Sequence, residues 1–186
     1  MTTIQEGKKT VLLVVDVQVG VMQNAWNAPR IIKNIGTAVE KARANNVPVI
    51  WVQQSDNELV LDSPDWQLVP ELTPAQDETR IDKQFNSTFE QTSLDAILSQ
   101  LGARHIFLAG AATNWCIRAT AYAALDRGYD LTLIKDAHTT ETIEFEDGTK
   151  IEASAVILEL NIAMQWLSYP GRKNSTIATE EINFAV

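Results

Sequence analysis

Thr10–Val15 is a continuous apolar, β-branched run that stops at Asp16, and this pattern predicts a central parallel strand buried on both faces. Val47–Val52, His105–Ala109 and Asp130–Lys135 predict three more strands, the last again followed by an aspartate, Asp136. Between them the apolar spacing becomes helical. Ile32, Ile35, Ala38, Val39 and Ala42 form a stripe over 29–46, and Arg118–Leu125 and Ala153–Leu167 predict two further helices. Ser93–Leu101 predicts a short helix capped by Thr92 or Ser93, and Gly128-Tyr129 ends the helix begun at Arg118. The alternation around Asp147-Gly148 over 142–151 predicts a hairpin, and Ser175–Thr179 a last short strand. A polar, proline-containing stretch over 53–80 reads as a long loop, ordered by its surroundings or functional. Strands alternating with helices predict an α/β fold, a mainly parallel sheet with helices on both faces. Ligands in such folds bind beyond the C-terminal strand ends, where Asp16, Gln53-Gln54, the turn at Cys116 and Asp136 are expected.

At 186 residues the chain is expected to be one domain, 1–186. A net charge of −9 argues against nucleic acid as a partner, which needs clustered Lys and Arg. There is no basic amphipathic helix for an anionic membrane and no run long enough to span one. The polar start, Met1 to Lys9, lacks the apolar core of a signal peptide, and a single cysteine excludes an intrachain disulfide. These features predict a cytoplasmic protein.

That one cysteine, Cys116, falls where a strand ends and a helix begins. The positive end of a helix favours a thiolate, so a nucleophile is one reading; a small buried apolar residue is the other. Asp16, after so apolar a run, is expected to be partly desolvated and therefore a better base, or else a turn cap. Lys83, among charged neighbours, reads on its own as a solvated surface residue.

Four segments carry a resemblance to the isochorismatase-like cysteine hydrolases, the superfamily that includes nicotinamidases and N-carbamoyl amidohydrolases. Val14-Val15-Asp16-Val17-Gln18 resembles its D-x-Q, and Lys83 to Phe89 its K-x-x-x-S-x-F. Gly110 to Ile117 resembles its G-x-x-T-x-x-C-V nucleophile turn, and Ala119 to Tyr129 with Asp136-Ala137 the helix and strand that follow. The resemblance implies a doubly wound, three-layer fold with about six mainly parallel strands. It also implies an Asp16–Lys83–Cys116 triad, and a cis peptide at Ala111-Ala112 that turns the Ala112 N–H toward the site. With the Cys116 N–H, that group would form an oxyanion hole. Cys116 would attack a small amide, lactam, ureide or carbamoyl carbonyl, Asp16 would relay the proton, and a thioester would follow.

The nicotinamidase D-x-H metal motif has no counterpart in Trp51–Asn57, and the two histidines, His105 and His138, do not make a zinc site. No metal and no cofactor are therefore expected. His105, at the strand start away from the site, reads as structural. Substrate-binding candidates are Gln18, Gln53 and Gln54 for polar groups, Trp26, Phe85 and Trp115 for apolar walls, and His138 at the rim; core or subunit packing is the alternative for the aromatics. Two other functions fit the same resemblance: a vinyl ether hydrolase using Asp16 as acid, and a non-catalytic thiol redox sensor or scaffold. A homo-oligomer is expected, with the hairpin and the tail from Arg172 as possible contacts.

Overall fold

The computed structural model describes residues 4–184; the outermost residues of the polar start and of the tail lie outside that range. Six parallel strands form the sheet: β1 (Lys9–Val15), β2 (Val49–Gln54), β3 (Thr79–Lys83), β4 (Ala103–Ala111), β5 (Asp130–Thr139) and, named for its place after the hairpin, β8 (Asn174–Ile177). Their order is β3-β2-β1-β4-β5-β8, so the winding reverses between β1 and β4. A crevice opens at such a switch point, outside the carboxyl ends of the strands.

Successive β1 side chains point to opposite faces, and both faces are sealed. Leu12 and Val14 pack with Trp51 against Ile31, Ile35, Ala38, Val39 and Ala42 of α2 (Ala28–Ala44). Val11, Leu13 and Val15 pack toward α3 (Leu94–Leu101), α4 (Arg118–Asp126) and α5 (Ala153–Trp166). This is the doubly wound α/β architecture expected. Burying a Leu or Val fully is worth roughly 1.5–3 kcal/mol, so these two layers hold β1 firmly under the site. On α2 the buried stripe starts at Ile31; Ile32 is only half-buried.

Several expectations need correction. The stretch over 53–80 is not all loop: β2 runs to Gln54, and Thr79–Lys83 forms the edge strand β3, paired with β2 in parallel. A single helical turn, α1 (Val19–Met22), follows Gln18. The strand from Asp130 does not stop at Asp136 but continues to Thr139, with a register break against β4 between Leu108 and Gly110. Asp136 therefore lies away from the strand end. Its Oδ1 accepts from the Thr179 N–H and hydroxyl, both at 2.8 Å, which pins the C-terminal segment. The last short strand expected over 175–179 does form, as β8, paired with β5 in parallel. The Asp147-Gly148 hairpin does form, from β6 (Ile143–Glu144) and β7 (Lys150–Ile151), with Gly148 at φ 83°. Ser93 is the N-cap of α3 without a side-chain cap hydrogen bond, and the Thr92 hydroxyl before it accepts from the Leu94 N–H at 3.2 Å. Among the described residues no helix is long and apolar enough to cross a membrane.

Candidate active site

Three strand ends and one turn bring the site together. Asp16 follows β1 directly, with a left-handed backbone (φ 52°) that an aspartate tolerates better than most residues. Its N–H donates to Val52 O at 2.9 Å, which ties the turn to β2. Lys83 is the last residue of β3, in register with Gln54 at the end of β2. Cys116 sits in a π-helical turn, Thr113–Ile117, between β4 and α4.

Close approach of β1 and β4 underlies this convergence. Gly110, at φ 126°, lies so near β1 that a Cβ built on it would stand 1.9 Å from Val15 O. Only glycine fits there; Val15, which it touches, is one residue from Asp16, and Gly110 itself is six from Cys116. The Ala111-Ala112 peptide is cis, at the position the resemblance implied. Ala112 O accepts from Trp115 N–H and Ile117 N–H, each at 3.1 Å, and so shapes the turn that carries the thiol.

Lys83 Nζ is the hub. It lies 2.7 Å from Asp16 Oδ2, donates to Gln54 Oε1 at 2.6 Å, and stands 3.2 Å from Cys116 Sγ. The lysine and aspartate side chains are 0% and 2% exposed. The carboxylate is buried against the ammonium at ion-pair distance. A desolvated carboxylate is a stronger base than a solvated one. Burial raises the Asp16 pKa above the ordinary carboxylate value, against the lowering effect of Lys83. Burial also pushes the Cys116 thiol up to about 12, helped by the Asp16 carboxylate and opposed by Lys83. Of the two readings of this cysteine, burial holds for the resting thiol: it is 8% exposed, and desolvation is the main cause of its raised pKa.

A second set of contacts stitches the lysine segment to the nucleophile helix. Thr88 N–H donates to Thr120 Oγ1 at 3.0 Å, and the two hydroxyls lie 2.9 Å apart, both fully buried. Asn86, missed in the sequence although it lies between Lys83 and Thr88, places its Oδ1 4.0 Å from Sγ.

The other expected site residues divide sharply. Gln18 is fully buried and spent on the backbone: its amide donates to Gln54 O and Trp66 O and accepts from Gln54 N–H. Gln53 likewise donates to Trp66 O at 3.0 Å. Both hold the long loop in place rather than face a ligand. Gln54 orients Lys83. His138 is not at the rim; it is fully buried, hydrogen-bonded to Thr113 Oγ1 at 2.9 Å and Asn161 Oδ1 at 3.0 Å, and burial drives its pKa down to about 4. It braces the nucleophile turn from behind. Trp26, Phe85 and Trp115 are exposed. Phe85 lines a recess of about 270 Å³ with Lys83, and Trp115 one of about 170 Å³ with Ala111 and Ala112; Trp26 lines neither. His105, bonded to Thr132 Oγ1 at 2.7 Å, is the third residue of β4, toward the end away from the site. Among the described residues no group of three or more His, Cys, Asp or Glu side chains could hold a metal ion.

Residues 10–157 match the family profile described as the isochorismatase domain, and they contain all three converging side chains. The chain belongs to the isochorismatase family. Relatives of this isochorismatase-family chain include streptothricin hydrolase from Streptomyces noursei, 30% identical over 144 residues, which are 74% of this chain and 57% of that one. The chain therefore spans little more than half the length of that relative. Solved isochorismatase-like structures share the fold. A cysteine hydrolase from Pseudomonas syringae pv. phaseolicola 1448A superposes with a TM-score of 0.84 at 21% identity, covering 93% of this chain and 90% of its own. N-carbamoylsarcosine amidase from Thermoplasma acidophilum gives 0.75 at 22% identity, covering 94% and 99%. The isochorismatase family to which the chain belongs thus has a hydrolase, streptothricin hydrolase, among this chain's relatives.

Proposed function

We propose that this protein hydrolyses a C–N bond of a small amide, lactam, ureide or carbamoyl compound through a thioester on Cys116. The observation that carries the reading is the position of Lys83 Nζ, 2.7 Å from a buried carboxylate and 3.2 Å from the thiol sulfur. With its pKa near 12 the thiol rests protonated, so attack needs a base at hand. Asp16 takes the Sγ proton as the S–C bond forms. Lys83 stabilises the negative charge while it passes between sulfur and carboxylate. The N–H groups of Ala112 and Cys116 receive the oxyanion. Asp16 then protonates the leaving nitrogen, the C–N bond breaks, and a thioester remains. Asp16 next removes a proton from water, hydroxide adds to the thioester carbonyl, the C–S bond breaks, and Asp16 returns the proton to sulfur. Products are a carboxylic or carbamic acid and an amine.

A redox sensor needs an accessible, acidic thiol and no lysine or aspartate beside it; the buried, weakly acidic Cys116 speaks against that role. An ether hydrolase would use Asp16 alone and keep its activity after the thiol is blocked. The test is a panel of small amides, ureides and carbamoyl compounds, with acid quench and intact mass spectrometry. A covalent adduct equal in mass to the acyl group, absent in Cys116→Ala, supports the proposal. Turnover that survives Cys116→Ala or alkylation overturns it.

A further inference from the structure

Two recesses flank the site, one lined by Lys83 and the other by Trp115, the neighbour of Cys116 in the chain. One, of about 170 Å³, holds Ala111, Ala112, Trp115, Asn24 and Glu141. The other, of about 270 Å³, holds Lys83, Phe85 and Asp82. Their charges are one-sided. The only cation lining either is Lys83, already consumed by Asp16. Arg118, two residues from Cys116, is paired to Glu159. Glu141 takes part in no ion pair or hydrogen bond among the described residues, although it shares the smaller recess with Trp115, which is 56% exposed. A carboxylate that shares a recess with an exposed indole can receive an organic cation, through charge and through the ring quadrupole. Neither recess offers a free Lys or Arg to a substrate carboxylate.

We infer that the substrate carries an ammonium or guanidinium group, seated between Glu141 and the indole of Trp115 while its carbonyl carbon stands against Cys116. The inference rests on the hydrolase reading and adds the substrate's charge to it. Glu141 acts as a specificity residue. It takes no part in proton transfer.

The test reads the recess without needing the natural substrate. Cys116 is modified with three methanethiosulfonates of matched size, bearing an ammonium, no charge or a sulfonate, in the parent, Glu141→Gln and, as a remote control on α2, Glu40→Gln. The ratio of ammonium to sulfonate rates should fall about three- to fivefold in Glu141→Gln, the size expected for one partly solvated charge. It should be unchanged in Glu40→Gln, and the difference should shrink in high salt. Matched amides with and without a side-chain amine should show the same loss of preference, carried in KM. An unchanged ratio in Glu141→Gln, with acyl-enzyme still forming from amides, overturns this inference and leaves the hydrolase reading intact. A thiol that reacts with none of the three reagents and forms no acyl-enzyme overturns both.

Discussion

Replacing Lys83 by Met isolates what the ammonium does, because the stem is nearly kept and the charge is lost. In the parent, Nζ meets Asp16 Oδ2 at 2.7 Å, Gln54 Oε1 at 2.6 Å and Cys116 Sγ at 3.2 Å, with both ionic side chains sealed from solvent. Removing one partner of a buried pair strands the other in low dielectric, at a cost of about 3–5 kcal/mol. Asp16 has one escape, which is to take up a proton. Its pKa already stands above the ordinary value through burial, and loss of the lysine raises it further. A carboxyl whose folded pKa is raised contributes stability that is complete below its unfolded pKa, about 4, and lost as pH rises through the folded value. Lys83→Met should therefore lie closest to the parent at the acid end. It should fall behind as pH climbs, until Asp16 is ionised in the folded variant. Adding Asp16→Asn removes the stranded charge and should restore most of the loss. Urea unfolding followed by circular dichroism, at steps between about pH 4.5 and 8.5, measures all four proteins of the cycle. A loss below about 1 kcal/mol at pH 8, a loss that does not vary with pH, or strict additivity of the two substitutions would refute the reasoning.

Three further outcomes are expected. Cys116→Ser should lower kcat on any substrate by about 10³-fold or more, and alkylation of the parent thiol should still be accelerating well above pH 9 because its pKa is about 12. The stability that the thiol contributes is complete below about pH 8.5, its unfolded pKa, and lost as pH rises toward 12. His138, held neutral with a pKa near 4, contributes stability that is complete above about pH 6.5 and lost as pH falls toward 4; His138→Gln should flatten that decline in urea midpoints. Gly110→Ala forces a methyl against Val15 O at a φ of 126°, and should cost more than about 3 kcal/mol or leave the protein insoluble, as thermal melts and expression would register.

How far the sequence speaks depends on whether burial is written in apolar residues or in pairings. β1, β4 and α4 were legible because their buried positions are apolar, and a run such as Val11–Val15 admits few other readings. β3 was not. It is an edge strand in which only Ile81 and Lys83 are buried, flanked by exposed Arg80 and Asp82, so its alternation includes a lysine on the inner face. That lysine is buried by an ion pair to a residue far along the chain, and no local pattern records such a partner; only the family resemblance singled it out. The extension of β5 was hidden by Asp136, which interrupts the apolar run but is satisfied by Thr179 across the fold. The same extension carries His138 into the interior rather than to the rim. Gln18 and Gln53 were misjudged because an amide serves a ligand and a backbone carbonyl equally well. Glu141 left no trace at all, since a solvent-facing carboxylate acquires meaning only from the recess it borders.

The paired hydroxyls of Thr88 and Thr120 set a limit on how this site can breathe. They fasten the segment following β3 to the helix that begins just past the sulfur, so any tilt of one drags the other along. Nζ of Lys83 and Sγ of Cys116 thus sit on two segments that are tied to each other. On the proposed hydrolase reading, warming this protein should then quicken the bond-making step itself, with no threshold temperature at which the reacting groups first come into reach of one another.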